Sequence, residues 1–225
     1  MSFFATPVVD DWGDTTYNLT TAGYTALVLV LIALLLIGCA FFGGKKKLSA
    51  KQLAFSSMAI ALATVTSLIK LIHFPMGGSV TLLSMLFICL IGYWYGLGGG
   101  LTAAIAYGIL QLVIDPYILS VPQMLIDYVF AFGALGLAGL FHNSKHGLIK
   151  GYIAGVLGRY FFAFLSGWIF FGMYAGDYGF SSGVVYSLAY NGIYLGAEAA
   201  ITLVIIALPP VAKGLDSVKK LVSES

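Results

Sequence analysis

Three charged side chains lie well inside the long apolar stretches of this chain: Asp127, Arg159 and Glu198. A charge at membrane depth costs about 3 kcal/mol or more, so each requires a partner, a hydrated cavity or a function. Asp127 lies about one and a half turns into its apolar segment and precedes Tyr128. This arrangement suits a cationic aromatic ligand, because the acid supplies charge and the ring supplies cation–π attraction. Pairing with a neighbouring helix, or capping of its own helix, is the alternative.

Arg159 and Glu198 lie at similar depths on two successive segments that run in opposite directions. This placement favours a structural ion pair between antiparallel helices. A proton relay is the alternative interpretation.

The composition is that of an integral membrane protein, with 60% hydrophobic and 9% charged residues. The formal net charge of +2 is too small to indicate a nucleic-acid partner. Gly44 occupies the lysine position of a would-be phosphate loop, so ATP hydrolysis is not expected on this chain. His142 and His146 lack further metal ligands nearby, and Cys39 and Cys89 are interpreted as small buried side chains. We therefore expect no enzyme activity, no cofactor and no metal.

Seven apolar segments predict an all-α membrane protein with seven transmembrane helices. They are Ala22–Phe42, Gln52–Ile72, Val80–Tyr95, Leu101–Ile114, Pro122–Phe141, Ile149–Tyr174 and Val184–Leu208.

Lysines cluster after the first, fifth and seventh segments, which places these loops in the cytoplasm. The amino terminus is then outside the cell and the carboxyl terminus inside. A basic glycine-containing turn separates the first helix from the rest. The predicted organisation is an outer tail at 1–21, an extra helix at 22–44, a six-helix body at 45–210 and a cytoplasmic tail at 211–225.

The outer loops and the seventh segment predict an outward-facing pocket with aromatic walls. The seventh segment contributes Tyr186, Tyr190, Asn191 and Tyr194. Tyr186 and Asn191 face about 140 degrees apart on an ideal helix, so contact with one ligand requires a kink or a pocket that encloses the helix edge. Packing between helices is the alternative for Asn191.

The second segment carries Ala59 and Ala63 on one face. Small residues at this spacing allow close helix approach in lipid, either within the bundle or with a partner protein.

Several short runs, in order over about residues 51–210, resemble the thiamin-specific substrate-binding component (S component) of energy-coupling factor (ECF) vitamin transporters. The runs are Pro75–Thr81, Gly108–Leu112, Pro122–Tyr128, Ala131–Phe132, Leu135–Phe141, Arg159–Tyr160, Ser166–Gly167, Tyr174–Ala175 and Tyr186–Asn191.

The resemblance implies a six-helix protein of a prokaryotic plasma membrane that captures thiamin, or a related cationic aromatic vitamin, from outside. It also implies docking on a transmembrane coupling protein with two ATPase subunits. By resemblance, Asp127 meets the cationic vitamin, and Ala59 and Ala63 dock the coupling protein. The other implied pocket positions are Gly78, Ser79, Tyr128, Tyr186 and Asn191.

Two residues depart from the family pattern. Ala163 stands where the family has a pocket histidine, and Phe171 stands where it has a tryptophan. These changes remove a hydrogen-bonding ring and shrink a stacking surface, which points to weaker thiamin binding or to a related ligand. Trp168, one turn from Phe171, is predicted to restore the stack.

Two other functions compete with the vitamin-capturing subunit. A stand-alone proton-coupled carrier would use Asp127 and Glu198 as titrating groups. A purely structural membrane scaffold would lack a polar pocket at Asp127.

Overall fold

The computed structural model describes residues 3–9, 15–23, 25, 26, 29 and 49–223. The predicted extra helix at 22–44 lies largely outside these residues and stays a prediction. The described helices are α1 (Ala50–Ser67), α2 (Ser84–Ile114), α3 (Val121–Phe141), α4 (Gly147–Phe171, continued as a 3₁₀ turn to Ala175), α5 (Gly183–Ala207) and α6 (Pro209–Ser223).

Two small antiparallel hairpins accompany the helices. Strand β1 (Ala5–Val9) pairs with β2 (Thr15–Leu19), and β3 (Lys70–His73) pairs with β4 (Ser79–Thr81). The predicted second segment was therefore too long, since α1 ends at Ser67 and its apolar continuation enters a strand. Short apolar runs do not distinguish a helix end from a strand.

Four helical stretches within the described part of the chain are long and apolar enough to cross a membrane: Ser84–Ile114, Val121–Phe141, Gly147–Ala175 and Gly183–Ala207. Helix α1 has 18 residues and begins at a capping box. The Ser49 hydroxyl accepts from the Gln52 amide at 3.1 Å, and the Gln52 side chain accepts from the Ser49 amide at 3.1 Å. The total of six helices plus one remains a prediction.

Helix α2 folds back on itself at Gly96, where φ is +78° and ψ is −172°. A side chain at Gly100 would lie 2.8 Å from the Cα atom of Gly92. In a straight helix eight residues rise about 12 Å, so the two halves must be antiparallel. They correspond to the predicted third and fourth segments. Only glycine adopts the Gly96 conformation readily, which explains the reversal.

Helix α3 packs closely against this hairpin through glycines. A Cβ atom at Gly136 would meet Gly100 and Leu101 backbone atoms at 2.5–2.6 Å. In lipid, such close backbone approach supplies the packing that holds helices together. Helix α3 also changes its winding, with a π-helical stretch at Leu125–Ala131 and a 3₁₀ stretch at Ala134–Phe141.

Ala59 and Ala63 lie inside the bundle, which differs from their predicted role in docking a partner. Ala59 is 3% exposed and packs with Ile91 and Ala103 of α2. Ala63 is fully buried, and its carbonyl accepts from the Tyr107 hydroxyl at 3.3 Å. The small-residue face of α1 therefore serves contact within the bundle in this structure.

The predicted carboxyl-terminal tail is largely the helix α6. Its residue Val222 is fully buried. The Lys219 ammonium lies 3.7 Å from the centroid of the Tyr93 ring and donates to the carbonyl of His142. Helix α6 thus packs against the bundle at the end where α2 reverses.

Candidate functional site

A cavity of about 150 Å³ lies between the helices and the β3–β4 hairpin. One face of α4 lines it along its length, with Arg159, Ala163, Ser166, Gly167 and Phe171. Residues 159 and 171 are about 18 Å apart along the helix axis. The cavity is therefore elongated, with Arg159 at its inner end and Phe171 towards its mouth.

Helix α5 packs against α4 and lines the adjoining wall with Tyr186, Tyr190, Asn191, Tyr194 and Glu198. Tyr186 and Asn191 both reach the cavity, so the pocket encloses the edge of this helix. The Asn191 amide donates to the Ser187 carbonyl at 3.0 Å, and its oxygen accepts from the Tyr194 hydroxyl at 3.0 Å. Its side chain is thus oriented by its own helix.

Asp127 lies in the π-helical stretch of α3 and lines the cavity. Stretches of π-helix are frequent at functional sites, because the extra residue re-aims the side chains. The Gln123 amide donates to the Asp127 carboxylate at 2.6 Å. Within the described chain, no basic group forms a salt bridge with this carboxylate. Its charge is therefore available to a ligand.

Gln123 is fixed by its other hydrogen bonds. Its oxygen accepts from the Leu119 amide at 3.0 Å, and its nitrogen also donates to the Tyr117 carbonyl at 3.1 Å. The side chain is 1% exposed. Sequence reasoning missed this residue, although its position one turn before Asp127 was a usable signal.

Tyr128 presents its ring to the cavity, while its hydroxyl holds the preceding loop. The hydroxyl donates to the Asp115 carbonyl at 2.9 Å and accepts from the Tyr117 amide at 2.8 Å. Its ring stacks on Phe132, with centroids 6.2 Å apart.

At the mouth, the Lys70 ammonium pairs with the Asp115 carboxylate at 2.6 Å. Gly78 and Ser79 line the cavity beside this pair. The Tyr190 hydroxyl donates to the Pro75 carbonyl and accepts from the Gly78 amide at 2.9 Å, which fixes the loop to α5. A Cβ atom at Gly78 would lie 2.9 Å from Cζ of Tyr190, so a larger residue there would displace the Tyr190 ring.

The predicted ion pair between Arg159 and Glu198 is not formed. The Glu198 carboxylate accepts from the Thr81 amide at 3.0 Å, the Thr81 hydroxyl at 2.7 Å, the Ser84 hydroxyl at 3.2 Å and the Met85 amide at 3.2 Å. Ser84 and Met85 begin α2, where the helix dipole favours a negative charge. Glu198 therefore caps the amino-terminal end of α2 and does not pair with Arg159.

The guanidinium carbon of Arg159 lies 4.0 Å from the centroid of the Phe132 ring. This distance is within the range of a cation–π contact. Both residues line the cavity.

Both residues that depart from the family pattern lie in the cavity wall. Ala163 and Phe171 line the cavity and are 7% and 8% exposed. The Phe171 ring lies 5.9 Å from that of Tyr117. Trp168 is 48% exposed and stacks on Phe164, so the prediction that it restores the stack is wrong. Three residues rotate a helix by about 300 degrees, so Trp168 points about 60 degrees away from Phe171 and does not line the cavity.

Ser166 is a further lining residue that was not predicted as a site residue. It is 1% exposed and lies beside the Asp127 carboxylate. Among the described residues, no group of three or more metal-binding side chains occurs. His142 lies 3.1 Å from the carbonyl of Gly139, away from the cavity.

Comparisons with known proteins agree with this architecture. A family model described as thiamine transporter protein (Thia_YuaJ) matches residues 53–215. The thiamine transporter ThiT of Bacillus subtilis (strain 168) is 31% identical over 151 residues, which are 60% of this chain and 76% of that protein. A solved ThiT structure from Listeria monocytogenes has a TM-score of 0.58 at 24% identity, over 71% of this chain and 94% of that chain, and so shares the fold. These matches confirm the resemblance seen in the sequence, and the chain belongs to the thiamine transporter family.

Proposed function

We propose that this protein is the substrate-capturing S component of an ATP-driven ECF importer, and that it binds thiamin or a closely related cationic aromatic vitamin in the described cavity. The main support for this proposal is the Asp127 carboxylate, which faces the cavity and forms no salt bridge with a described basic residue. Family membership and the name of the Bacillus subtilis relative support the ligand class.

The cavity walls suit a planar cation. Tyr128, Phe171 and Tyr186 surround the space that Asp127 faces. Stacking on these rings and attraction to the carboxylate both favour a positively charged heteroaromatic ring. Phe171 offers a smaller stacking surface than a tryptophan, and Ala163 offers no hydrogen bond.

The importer arrangement requires partners. The chain lacks a phosphate-binding loop, so an ATP-driven mechanism needs separate ATPase subunits and a transmembrane coupling protein. The lysine distribution supports an orientation with the cavity mouth outside the cell and the carboxyl terminus in the cytoplasm. The multi-pass chain then captures its ligand from the exterior.

The alternative of a stand-alone proton-coupled carrier relied on Asp127 and Glu198. Glu198 is held by the four donors described above, and carrying a proton would require it to give up hydrogen bonds at the start of α2. This arrangement favours a structural role for Glu198. Uptake into vesicles without any ATPase, abolished by an uncoupler, would reverse this assignment.

Replacing Asp127 with asparagine tests the binding site. Purified protein in detergent is titrated with thiamin by calorimetry. Asp127→Asn keeps the shape and removes the charge, and a lost close charge pair costs about 2–4 kcal/mol, or about 30- to 1,000-fold in Kd. Asp177→Asn, at an exposed acid in the loop before α5, is the matched control and should bind as wild type does. Equal affinity of the wild type and Asp127→Asn would reject the assignment.

A further inference from the structure

A second cavity, of about 270 Å³, lies in a groove between α4 and α5 and shares no lining residue with the cavity described above. Its α4 wall includes Ile153 and Leu157, which are 41% and 59% exposed, so the groove opens to the outside of the bundle. No charged residue of the described chain lines it. Because both helices are long and apolar enough to cross a membrane, this groove faces the hydrocarbon region.

The α5 side of the groove is built from small residues. Its lining positions include Gly192, Gly196, Ala199 and Leu203, which are separated by four, three and four residues. This alternation is the spacing of the contact positions in a left-handed helix pair. A Cβ atom at Gly196 would meet no described atom within 4 Å. Since close packing drives helix association in lipid, the groove has the shape that receives a further helix.

The chain supplies an apolar segment that is additional to the matched part of the family. The predicted helix at 22–44 lies largely outside the described residues and precedes residues 53–215, which the family model matches. Its sequence carries Ala26, Ala33 and Ala40 at intervals of seven residues. On a helix these alanines share one face, and a seven-residue repeat suits the left-handed geometry of the groove.

The connection to the bundle is long enough for this segment to reach the groove. Phe55, near the start of α1, contacts Trp94, so α1 begins at the end of the bundle where α2 reverses. Helix α5 ends at Ala207 and leads directly into α6, which packs at the same end. Residues 43–48 span about 20 Å when extended, which is about two helix diameters. In the predicted orientation, the extra helix and α5 run in the same direction.

The outer face of α1 is a poorer docking surface for the same segment. Its side chains Leu53, Met58 and Val65 are 60%, 58% and 58% exposed. A ridge of large side chains offers a helix fewer close contacts than a groove with glycines, and apolar burial gives no preference in lipid. Packing therefore favours the groove.

We propose that the predicted amino-terminal helix packs into the α4–α5 groove, parallel to α5, with Ala33 opposite Gly196 and Ala40 opposite Leu203. This inference goes beyond the proposed function, since it concerns a face of the bundle that the vitamin cavity does not use. Helices α4 and α5 also line that cavity, so the added helix braces two of its walls from the lipid side.

Cysteine cross-linking of the full-length protein in membranes tests this register. Every variant carries Cys39→Ala, and the remaining Cys89 is fully buried. The variant with Ala40→Cys and Leu203→Cys should form an intramolecular disulfide under mild oxidation at least about tenfold faster than its controls, because bridged cysteines need Cα atoms within about 7 Å.

The controls combine Ala40→Cys with a cysteine on another face. Val204→Cys is the matched control, since Val204 adjoins Leu203 and is 65% exposed but does not line the groove. Leu53→Cys places the cysteine one turn into α1, on the competing surface. Both positions lie near the same end of the bundle as Leu203.

The pair Ala33→Cys with Gly196→Cys, one heptad away, repeats the test and decides it if the first variant does not fold. Equal cross-linking with Val204→Cys, or faster cross-linking with Leu53→Cys, would overturn the inference. Disulfides between two copies would assign the groove to a second copy of the chain instead. If neither pair is cross-linked in protein that elutes as a folded species, lipid chains fill the groove and the proposal is rejected.

Discussion

Gln123 provides a direct test of how the binding carboxylate is positioned. Its side chain makes three hydrogen bonds, to Asp127 at 2.6 Å, to Tyr117 at 3.1 Å and to Leu119 at 3.0 Å. Gln123→Met has a similar length and removes all three. The bond to the carboxylate contributes about 1.5–3 kcal/mol and each neutral bond about 0.5–1.5 kcal/mol, so the protein should lose about 2.5–6 kcal/mol of stability.

Thiamin binding should weaken as well, because the carboxylate is no longer held towards the cavity. A reorientation cost of about 1–2 kcal/mol corresponds to about 5- to 30-fold in Kd. Calorimetric titration measures this change, and thermal unfolding in detergent measures the stability. Gln111→Met is the matched control for the stability measurement, since this buried amide bonds to Ser67 rather than to Asp127. Asp177→Asn remains the control for binding.

A double-mutant cycle distinguishes positioning from general damage to the fold. If Gln123 acts through Asp127, Gln123→Met should have little further effect on binding when Asp127→Asn is already present. Additive losses in the double mutant would refute the positioning role. So would wild-type affinity in Gln123→Met.

Two further predictions concern the two ends of the bundle. Gly78→Ala should displace the Tyr190 ring and weaken thiamin binding, since a Cβ atom would lie 2.9 Å from Cζ, whereas Gly176→Ala meets no atom within 4 Å and should bind normally in the same titration. At the other end, burial lowers the pKa of Lys219 from its ordinary value of 10.5. The unfolded chain therefore holds this proton more tightly, and the contribution of Lys219 to stability should rise as the pH increases through its folded pKa towards 10.5. Thermal unfolding measured at several pH values should show this rise in the stability difference between the wild type and Lys219→Met. A difference that stays constant with pH would contradict the partly buried ammonium beside Tyr93.

The sequence was sufficient for those features that depend on local composition. Apolar runs separated by lysines indicate a membrane protein, and Asp127 is recognisable because a charge in such a run requires a reason. The family resemblance followed from short motifs in order, and the family match confirmed it. The positions of Tyr128 and Tyr186 in the cavity wall also followed from these motifs.

Tertiary structure decided which side of each helix faces which neighbour. Ala59 turned inwards and Trp168 turned outwards, because rotation about a helix axis is set by packing against distant segments when nearly every face is apolar. Glu198 found neutral donors more than 110 residues away in the chain rather than the arginine expected from depth alone. Because Glu198 bonds to these donors, Arg159 forms no salt bridge within the described residues, and its guanidinium lies against the Phe132 ring.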